Sequence, residues 1–180
     1  MVNVLFVCLG NICRSPIAEA TFRQMVDERG LTDHIQCDSA GTHNYHIGDL
    51  PDARTRRNAE LHDLILTHRC RRLTGSDFSK FDHIIGMDES NIQNIRAIAY
   101  KATGQYPSDE QVFLLRKFDP DSATFESIPD VPDPYYEEDA FFEKVYQIVR
   151  RCNEYLLNFL VKRYSLAPVP QGAHRTNQPV

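Results

Sequence analysis

The sequence predicts an α/β fold with an open, mostly parallel sheet of four strands. Three observations support this fold. Short apolar runs alternate with helical patterns, the first run is unbroken and β-branched as in a parallel strand buried on both faces, and glycine-containing turns follow several segments. The 180 residues correspond to one domain of ordinary globular composition, since 42% are apolar and 25% are charged.

The first strand is predicted at residues 2–8, and a glycine-containing loop follows it at residues 9–14. Ser15 and Pro16 favour a helix start, with Ser15 as the N-cap and Pro16 at the first helical position. Gly30 is a natural stop for this helix. The apolar face of the helix consists of Ala18, Phe22, Met25 and Val26. The chain therefore begins as strand, tight loop and helix.

The same alternation recurs downstream. The remaining strands are predicted at residues 35–39, 83–87 and 112–115, and the remaining helices at residues 51–66, 89–102 and 141–160. In the helix at 51–66, Leu61, Leu64 and Ile65 are expected to face inward. Residues 119–136 are rich in Pro, Asp and Ser and form a long loop, which in a compact domain is usually functional or disordered. We expect the domain to cover residues 1–164, followed by a mobile tail at residues 165–180, which contains three prolines.

Composition excludes several classes of function. The formal net charge of −5 disfavours nucleic-acid binding through the overall field, so we expect no nucleic-acid partner. The longest apolar run, residues 4–9, is far shorter than the ~20 residues of a membrane helix, so we expect no membrane association. No basic segment precedes this run, and Gly10 interrupts it, so we expect no targeting segment and a cytoplasmic location. We also expect a monomer.

The cysteines and histidines show no metal-site spacing. The sequence has five cysteines, an odd number, and none is in a C-x-x-C pair. The seven histidines form no H-x-x-x-H pair. Because thiols stay reduced in the cytosol, we expect no structural disulfide, and we expect no bound metal.

The first loop has the form C-x5-R-S, from Cys8 to Arg14 and Ser15. A tight loop before a helix can turn several backbone N–H groups toward one anion, and the helix N-terminus adds partial positive charge. The guanidinium of Arg14 can bind two phosphate oxygens at once. The same field favours the nucleophilic thiolate of Cys8. The simpler alternative is that Cys8 is an inert core cysteine at the end of a strand.

Two segments carry most of a family resemblance, and residues 38–42 and 86–91 also look like segments of the same family. Residues 4–16, VLFVCLGNICRSP, and the segment Asp133-Pro134-Tyr135-Tyr136 resemble the low-molecular-weight protein tyrosine phosphatases. The resemblance covers residues 2–163. It implies a flavodoxin-like sheet with helices on both faces, and hydrolysis of phosphate monoesters through a phosphocysteine, without a metal or cofactor. Inorganic phosphate and vanadate are then expected ligands.

The resemblance also assigns roles to individual residues. It implies that Cys8 is the nucleophile and Asp133 the general acid and base, although Asp119 and Asp130 are nearby competitors by spacing. The phosphate-binding loop would comprise Leu9, Gly10, Asn11, Ile12, Cys13 and Ser15 beside Cys8 and Arg14. A supporting hydrogen-bond network would comprise Asn11, Ser39 and His68.

The expected substrates are phosphotyrosine-containing proteins or small aryl phosphates. The resemblance implies that Leu9 and Ile12 face an aryl slot, and Tyr45, Tyr135 and Tyr136 are candidate walls that would stack on the ring. Relatives that prefer phosphoarginine tend to have Thr at the position of Ile12, so Ile12 favours phosphotyrosine. A further expectation is redox control, in which Cys13 forms a disulfide with oxidised Cys8.

Two other functions stay open. A thiol-dependent arsenate reductase on the same fold would need further redox cysteines, and Cys37 and Cys152 are expected in the core, whereas Cys70 lies between arginines and could be reactive. A non-hydrolytic phosphocysteine carrier or anion-binding module would need the phosphate loop but no general acid. The Asp133-Pro134 segment disfavours that second alternative.

Overall fold

The computed structural model describes residues 1–168 and confirms the predicted α/β class. All strand pairs in the four-stranded sheet are parallel, and the strand order is β2-β1-β3-β4. The strands are β1 (Val2–Cys8), β2 (Ile35–Gly41), β3 (His83–Gly86) and β4 (Val112–Leu114). Val4 pairs with Cys37 on one side and with His83 on the other, so β1 is central in the sheet.

Helices cover both faces of the sheet. They are α1 (Arg14–Glu28), α2 (Ala53–Glu60), α3 (Asp77–Lys80), α4 (Glu89–Thr103) and α5 (Asp139–Tyr164). Alternate residues of β1 point to opposite faces. Val4 and Phe6 therefore join the core under α1 and α5, whereas Leu5 and Val7 join the core under α4. The phenyl rings of Phe6 and Phe22 meet edge to face with centroids 5.5 Å apart.

The first helix begins earlier than the sequence pattern predicts. The N-cap is Cys13 rather than Ser15, and Pro16 occupies the third helical position. The Ser15 hydroxyl is not a cap because it is directed into the preceding loop, 3.1 Å from the Cys8 sulfur. Pro16 is tolerated because the first four N–H groups of a helix have no intrahelical partner.

The second helix is shorter than predicted. It ends at Glu60, and Asp63 adopts a left-handed φ of 58°. The Leu64 N–H then donates to the Ala59 carbonyl, which closes the helix end. This reversal buries Leu64. The expectation for its two apolar neighbours is wrong, since Leu61 is 78% exposed and Ile65 is 82% exposed.

The long segment after β4 contains two short 3-10 helices, Leu115–Phe118 and Ser122–Thr124. Its remainder leads to α5 as loop. The predicted tail at 165–180 falls largely outside the described residues; within them, Leu166 packs partly buried against the core. Within residues 1–168, none of the helices combines the length and apolar character needed to span a membrane.

Candidate active site

The loop between β1 and α1, residues 8–15, lies beyond the carboxyl end of the central strand, where open α/β sheets bind ligands. Cys8 is buried at the end of β1. Its sulfur accepts a hydrogen bond from the Asn11 backbone N–H at 3.3 Å and lies 3.1 Å from the Ser15 Oγ. One backbone donor and one hydroxyl group thus contact the sulfur at the positive end of α1.

Asn11 holds this loop in a left-handed conformation, with φ of 59°. Its amide nitrogen donates to Ser15 Oγ and to Ser39 Oγ, each at 2.9 Å. Its amide oxygen accepts from His68 Nε2 at 2.8 Å and from the Arg71 backbone N–H at 2.9 Å. The structure therefore brings together the three predicted network residues, and the network is fully buried at Asn11.

The network continues to Glu19, which the sequence reading missed. Ser39 Oγ donates to the buried Glu19 carboxylate at 2.5 Å, and His68 Nδ1 lies 3.3 Å from the same carboxylate. Glu19, Asp38 and His68 place ligand atoms within 4.8 Å of one another, as a metal site would. The two carboxylates are already paired with Arg23 and Arg71, so a metal ion would compete with two guanidinium groups. The one sequence feature that could have indicated a role for Glu19 in the network is its position early in α1, the helix that follows the loop.

The Arg14 guanidinium is buried and held from three directions. Nη1 donates to Asp88 Oδ2 at 2.5 Å and to the Val131 carbonyl at 3.2 Å, and Nη2 donates to Asp133 Oδ2 at 2.7 Å. Burial acts to lower the pKa of Arg14, but the negative charges around it outweigh burial and raise that pKa. Arg14 is therefore a fixed cation next to the Cys8 sulfur.

Asp88 is a second site residue, to which the sequence reading assigned no role although it noted the 86–91 segment. Its Oδ1 accepts from the Asn91 N–H at 2.6 Å and caps α4, while its Oδ2 binds Arg14. The signal was present in the sequence, since a carboxylate that follows an apolar strand stands at the edge where ligands bind. The N-cap role alone would also account for an aspartate there, so the pattern was ambiguous.

The three acidic candidates of the long loop are separated by the structure. Asp133 is 44% exposed and lines the same cavity as Cys8. Asp119 is buried and paired with Arg116 and Arg151. Asp130 accepts a hydrogen bond from the Glu89 N–H at the start of α4. Asp133 is the one of the three that lines this cavity.

The 8–15 loop opens on a cavity of about 310 Å³, here called the site cavity. Leu9, Gly10 and Ile12 line it, together with Cys8, Cys13, Arg14 and Asp133. The three predicted tyrosines also line it, although Tyr136 is 94% exposed and Tyr45 is 69% exposed. His46 is a lining residue that the sequence reading missed, and its ring lies against Gly10.

The remaining cysteines are not activated. Burial raises the pKa of the Cys13 thiol to about 12 and that of Cys70 to about 11. The Cys70 thiol donates to the Asn11 carbonyl, so it supports the loop. Cys37 and Cys152 lie in or against the core as expected, and burial raises the pKa of each thiol to about 12.

The fold and this set of side chains define the class, a tyrosine phosphatase. The chain is similar to a protein tyrosine phosphatase of Entamoeba histolytica, with a TM-score of 0.78 and 33% identity, covering 92% of this chain and 100% of that one. The family model for low molecular weight phosphotyrosine protein phosphatase matches residues 3–166. The chain belongs to this family, which confirms the resemblance drawn from the two sequence segments.

Two further proteins are similar to this chain over most of their length. The human low molecular weight phosphotyrosine protein phosphatase is 41% identical over 150 residues, covering 83% of this chain and 90% of that protein. A Drosophila arginine phosphatase has a TM-score of 0.77 and 31% identity, covering 87% of this chain and 96% of that one. The chain therefore spans nearly the whole length of these relatives.

Proposed function

We propose that the protein hydrolyses phosphotyrosine through a phosphocysteine on Cys8, with Asp133 as general acid and base. The observation that carries the proposal is the site cavity, which is lined by the Cys8 sulfur, the Arg14 guanidinium and the Asp133 carboxyl group. A nucleophile, a cation for the phosphate oxygens and a proton donor on one cavity are the groups that the reaction needs.

In the first step the Cys8 thiolate attacks phosphorus and forms the S–P bond. The bond from phosphorus to the phenolic oxygen breaks, and protonated Asp133 gives its proton to that oxygen. The backbone N–H groups of the 8–15 loop and the Arg14 guanidinium bind the phosphoryl oxygens and stabilise the charge on these oxygens in the transition state. A well-placed general acid contributes about 10²–10⁴ in rate.

In the second step water attacks phosphorus and passes a proton to the Asp133 carboxylate. The S–P bond breaks, and its electron pair returns to the Cys8 sulfur as thiolate. The Ser15 hydroxyl, 3.1 Å from that sulfur, donates to the developing thiolate and makes it a better leaving group. The Asn11 amide nitrogen donates to Ser15 Oγ, so the hydroxyl proton is directed to another acceptor. That acceptor is the sulfur or the more distant Ala40 carbonyl at 3.4 Å, and negative charge developing on sulfur favours the sulfur.

The rim of the site cavity supports an aryl substrate. Ile12 and Leu9 give it apolar surface, and Tyr135 and Tyr45 supply aromatic faces for a phenyl ring. The Drosophila relative is named an arginine phosphatase, so phosphoarginine is the competing substrate to be tested. Phosphotyrosine is preferred in our proposal because a branched apolar side chain at residue 12 favours an aromatic ring over a guanidinium.

The same site supports redox control. Cys13 lines the cavity with Cys8, and its raised pKa leaves it a protonated thiol at neutral pH. Peroxide therefore oxidises Cys8 first, to a sulfenic acid, and Cys13 then displaces water from it to form a disulfide. One peroxide molecule thus takes two electrons from the two sulfurs, and reduction of the disulfide by a thiol returns them.

The test of function is steady-state turnover of 4-nitrophenyl phosphate, phosphotyrosine and phosphoarginine with excess EDTA. We expect turnover that EDTA does not reduce, a higher kcat/KM for phosphotyrosine than for phosphoarginine, and no turnover by Cys8→Ser. Cys8→Ser should still bind inorganic phosphate because the loop donors remain. A Cys8→Ser variant that retains a tenth of wild-type kcat would exclude the phosphocysteine mechanism.

Parallel assays separate the alternatives. Arsenate reduction with a thiol donor, at a rate exceeding phosphate ester hydrolysis, would identify an arsenate reductase. Phosphate binding without turnover of any ester would identify a carrier or anion-binding module. Our proposal requires hydrolysis to exceed both.

A further inference from the structure

Arg54 connects two loops that the proposed reaction must hold together. It lies in the first turn of α2, next to the N-cap Asp52. Its guanidinium donates to the Tyr135 carbonyl at 3.0 Å and to the Glu137 carbonyl at 3.3 Å. Both carbonyls belong to the 130–138 loop, which carries Asp133. A side chain of α2 therefore binds the backbone of the loop that supplies the proposed acid.

The other end of the connection is the 8–15 loop. The Asp52 backbone N–H donates to the Ile12 carbonyl at 2.9 Å. The Asp52 carboxylate binds Arg54 three times, at the backbone N–H, at Nε and at Nη2, with distances from 2.8 to 3.1 Å. Burial acts to raise the pKa of Asp52, but its hydrogen bonds from Arg54 lower it, so the pair stays ionised at neutral pH. Ile12, Asp52 and Arg54 form a continuous bridge from one loop to the other.

The 130–138 loop is stiff where it carries Asp133, so its anchors set the position of the carboxyl group. Pro132 and Pro134 flank Asp133. Proline fixes its own φ and restricts the residue before it, which leaves few conformations between them. On the N-terminal side, the Val131 N–H donates to the Met87 carbonyl at 2.8 Å. On the C-terminal side, Arg54 makes the bonds described above.

Arg54 itself is held by packing. Its guanidinium lies over the buried Phe142 ring, 4.7 Å from the ring centroid, and 5.8 Å from the centroid of Tyr135. A planar, stacked guanidinium has five N–H donors, and the Arg54 side chain makes four bonds, two to carbonyls and two to carboxylate oxygens. An ammonium group has three N–H donors and no flat face to stack. The side chain is 27% exposed, so water competes only partly for its bonds.

We propose that Arg54 is a positioning residue that fixes Asp133 relative to Cys8, by tying the 130–138 loop through Asp52 to the 8–15 loop. This inference rests on the proposed role of Asp133 as general acid. Loss of Arg54 leaves the nucleophile and the phosphate donors in place and displaces the acid. The defect is therefore largest for substrates whose leaving group needs a proton.

The experiment compares kcat/KM for phenyl phosphate and 4-nitrophenyl phosphate, because kcat/KM reports the steps through phosphocysteine formation. Phenolate is the poorer leaving group and depends more on the acid. We expect Arg54→Gln to lower kcat/KM about 10-fold for phenyl phosphate and about 3-fold or less for 4-nitrophenyl phosphate. These losses are smaller than the roughly 100-fold that a catalytic group misplaced by about 1 Å can cause. The inhibition constant of inorganic phosphate should not rise, because the phosphate donors of the 8–15 loop stay in place.

The matched control is Arg57→Gln, in the same helix. Arg57 also reaches across to α5, but it pairs with Asp139, the first residue of that helix, at 3.0 Å between two exposed side chains. It makes no bond to the 130–138 loop, and its loss should leave both kcat/KM values unchanged. The double variant Arg54→Gln/Asp133→Ala should be no slower than Asp133→Ala alone, because Arg54 acts through Asp133.

A second variant and a structural readout guard against loss of folding. Arg54→Lys keeps the positive charge but loses the planar guanidinium, and it should show the same leaving-group dependence to a smaller extent. Amide hydrogen exchange should be faster at residues 131–138 in Arg54→Gln and unchanged in β1.

Equal losses for the two esters, or an undiminished loss in the Asp133→Ala background, would overturn the proposal. If Asp133→Ala lacks a leaving-group dependence, the acid assignment and this inference fail together. If Asp133→Ala shows that dependence and Arg54→Gln does not, this inference alone fails.

Discussion

The Arg14 guanidinium donates to the Asp133 carboxylate, from Nη2 to Oδ2, at 2.7 Å. The residue proposed to bind phosphate oxygens is thus in direct contact with the residue proposed to donate the proton. A bound phosphate dianion must share the Arg14 guanidinium with Asp133 or displace Asp133 from it. The dianion also repels the ionised Asp133 carboxylate. Substrate binding therefore acts on the position of the Asp133 carboxyl group through electrostatics.

The first prediction follows from this competition. Asp133→Ala should bind inorganic phosphate more tightly, by about 5-fold, because a partly exposed charge contact is worth up to ~1 kcal/mol. The measurement is competitive inhibition or calorimetry at low salt, where screening is weak. Asp130→Asn is the control, since Asp130 contacts Glu89 rather than Arg14 and should leave phosphate affinity unchanged. Unchanged or weaker binding by Asp133→Ala would contradict the competition.

The second prediction separates hydrogen bonding from backbone strain at Asn11. Asn11→Ala loses all the side-chain hydrogen bonds of a buried amide and places alanine at φ of 59°. It should reduce the free energy of unfolding by about 2–4 kcal/mol and lower kcat. Asn11→Gly loses the same bonds without the left-handed cost of about 1–2 kcal/mol. In a urea titration, Asn11→Gly should therefore be more stable than Asn11→Ala by that amount only. A free energy of unfolding equal to wild type for Asn11→Gly would mean that the network contributes little to stability.

The third prediction concerns Asp119, which like Asp133 is an aspartate followed by proline in the long acidic loop. Asp119 is buried and bound by Arg116 and Arg151. Asp119→Asn should therefore lower the free energy of unfolding by about 3 kcal/mol at pH 7, with kcat/KM near wild type. A larger loss of kcat/KM for Asp119→Asn than for Asp133→Ala would mean that the acid is misassigned.

The pH dependence of that loss has a definite sign. Burial acts to raise the pKa of Asp119, but hydrogen bonds from Arg151, the Asp121 N–H and Arg116 outweigh burial and lower it. A carboxyl group whose folded pKa is depressed stabilises the fold above its unfolded pKa of about 3.9 and loses that effect as pH falls through the folded value. The stability gap between wild type and Asp119→Asn should therefore narrow below about pH 4. A gap that widens there, in urea titrations at stepped pH, would contradict the ion-pair argument.

The fourth prediction concerns oxidation. Peroxide should inactivate the wild-type protein, dithiothreitol should restore activity, and phosphate should slow the loss. Cys13→Ser should be active but recover poorly, because nothing resolves the Cys8 sulfenic acid before further oxidation. Cys70→Ser is the matched control, since a serine hydroxyl can still donate to the Asn11 carbonyl and recovery should match wild type. Peptide mass spectrometry that finds no Cys8–Cys13 linkage would exclude this mechanism.

Local patterns were sufficient for the core of the fold. Neighbouring residues encode the unbroken apolar run of β1, the loop after it and the helix that follows. The spacing of apolar residues and the turn residues are therefore enough to identify these elements. The motif from Cys8 to Ser15 and the Asp-Pro pair at Asp133 likewise carry their resemblance within short segments. The predicted boundaries were weaker where a capping interaction decides them. The end of α2 depends on Asp63 at positive φ, and the start of α1 depends on a serine that binds sulfur instead of capping.

The contacts that assemble the site come from the order of the strands. Because β1 is flanked by β2 and β3, the segments after these strands meet at one edge, and residues far apart in the chain become neighbours. Arg14 binds Asp88 and Asp133, which are 74 and 119 positions away, and no local period encodes such a pairing. The sequence therefore singled out Cys8, Arg14 and Asp133 as candidates for the chemistry. Sheet topology decided their partners, including Asp88 for Arg14 and Arg54 for the loop of Asp133.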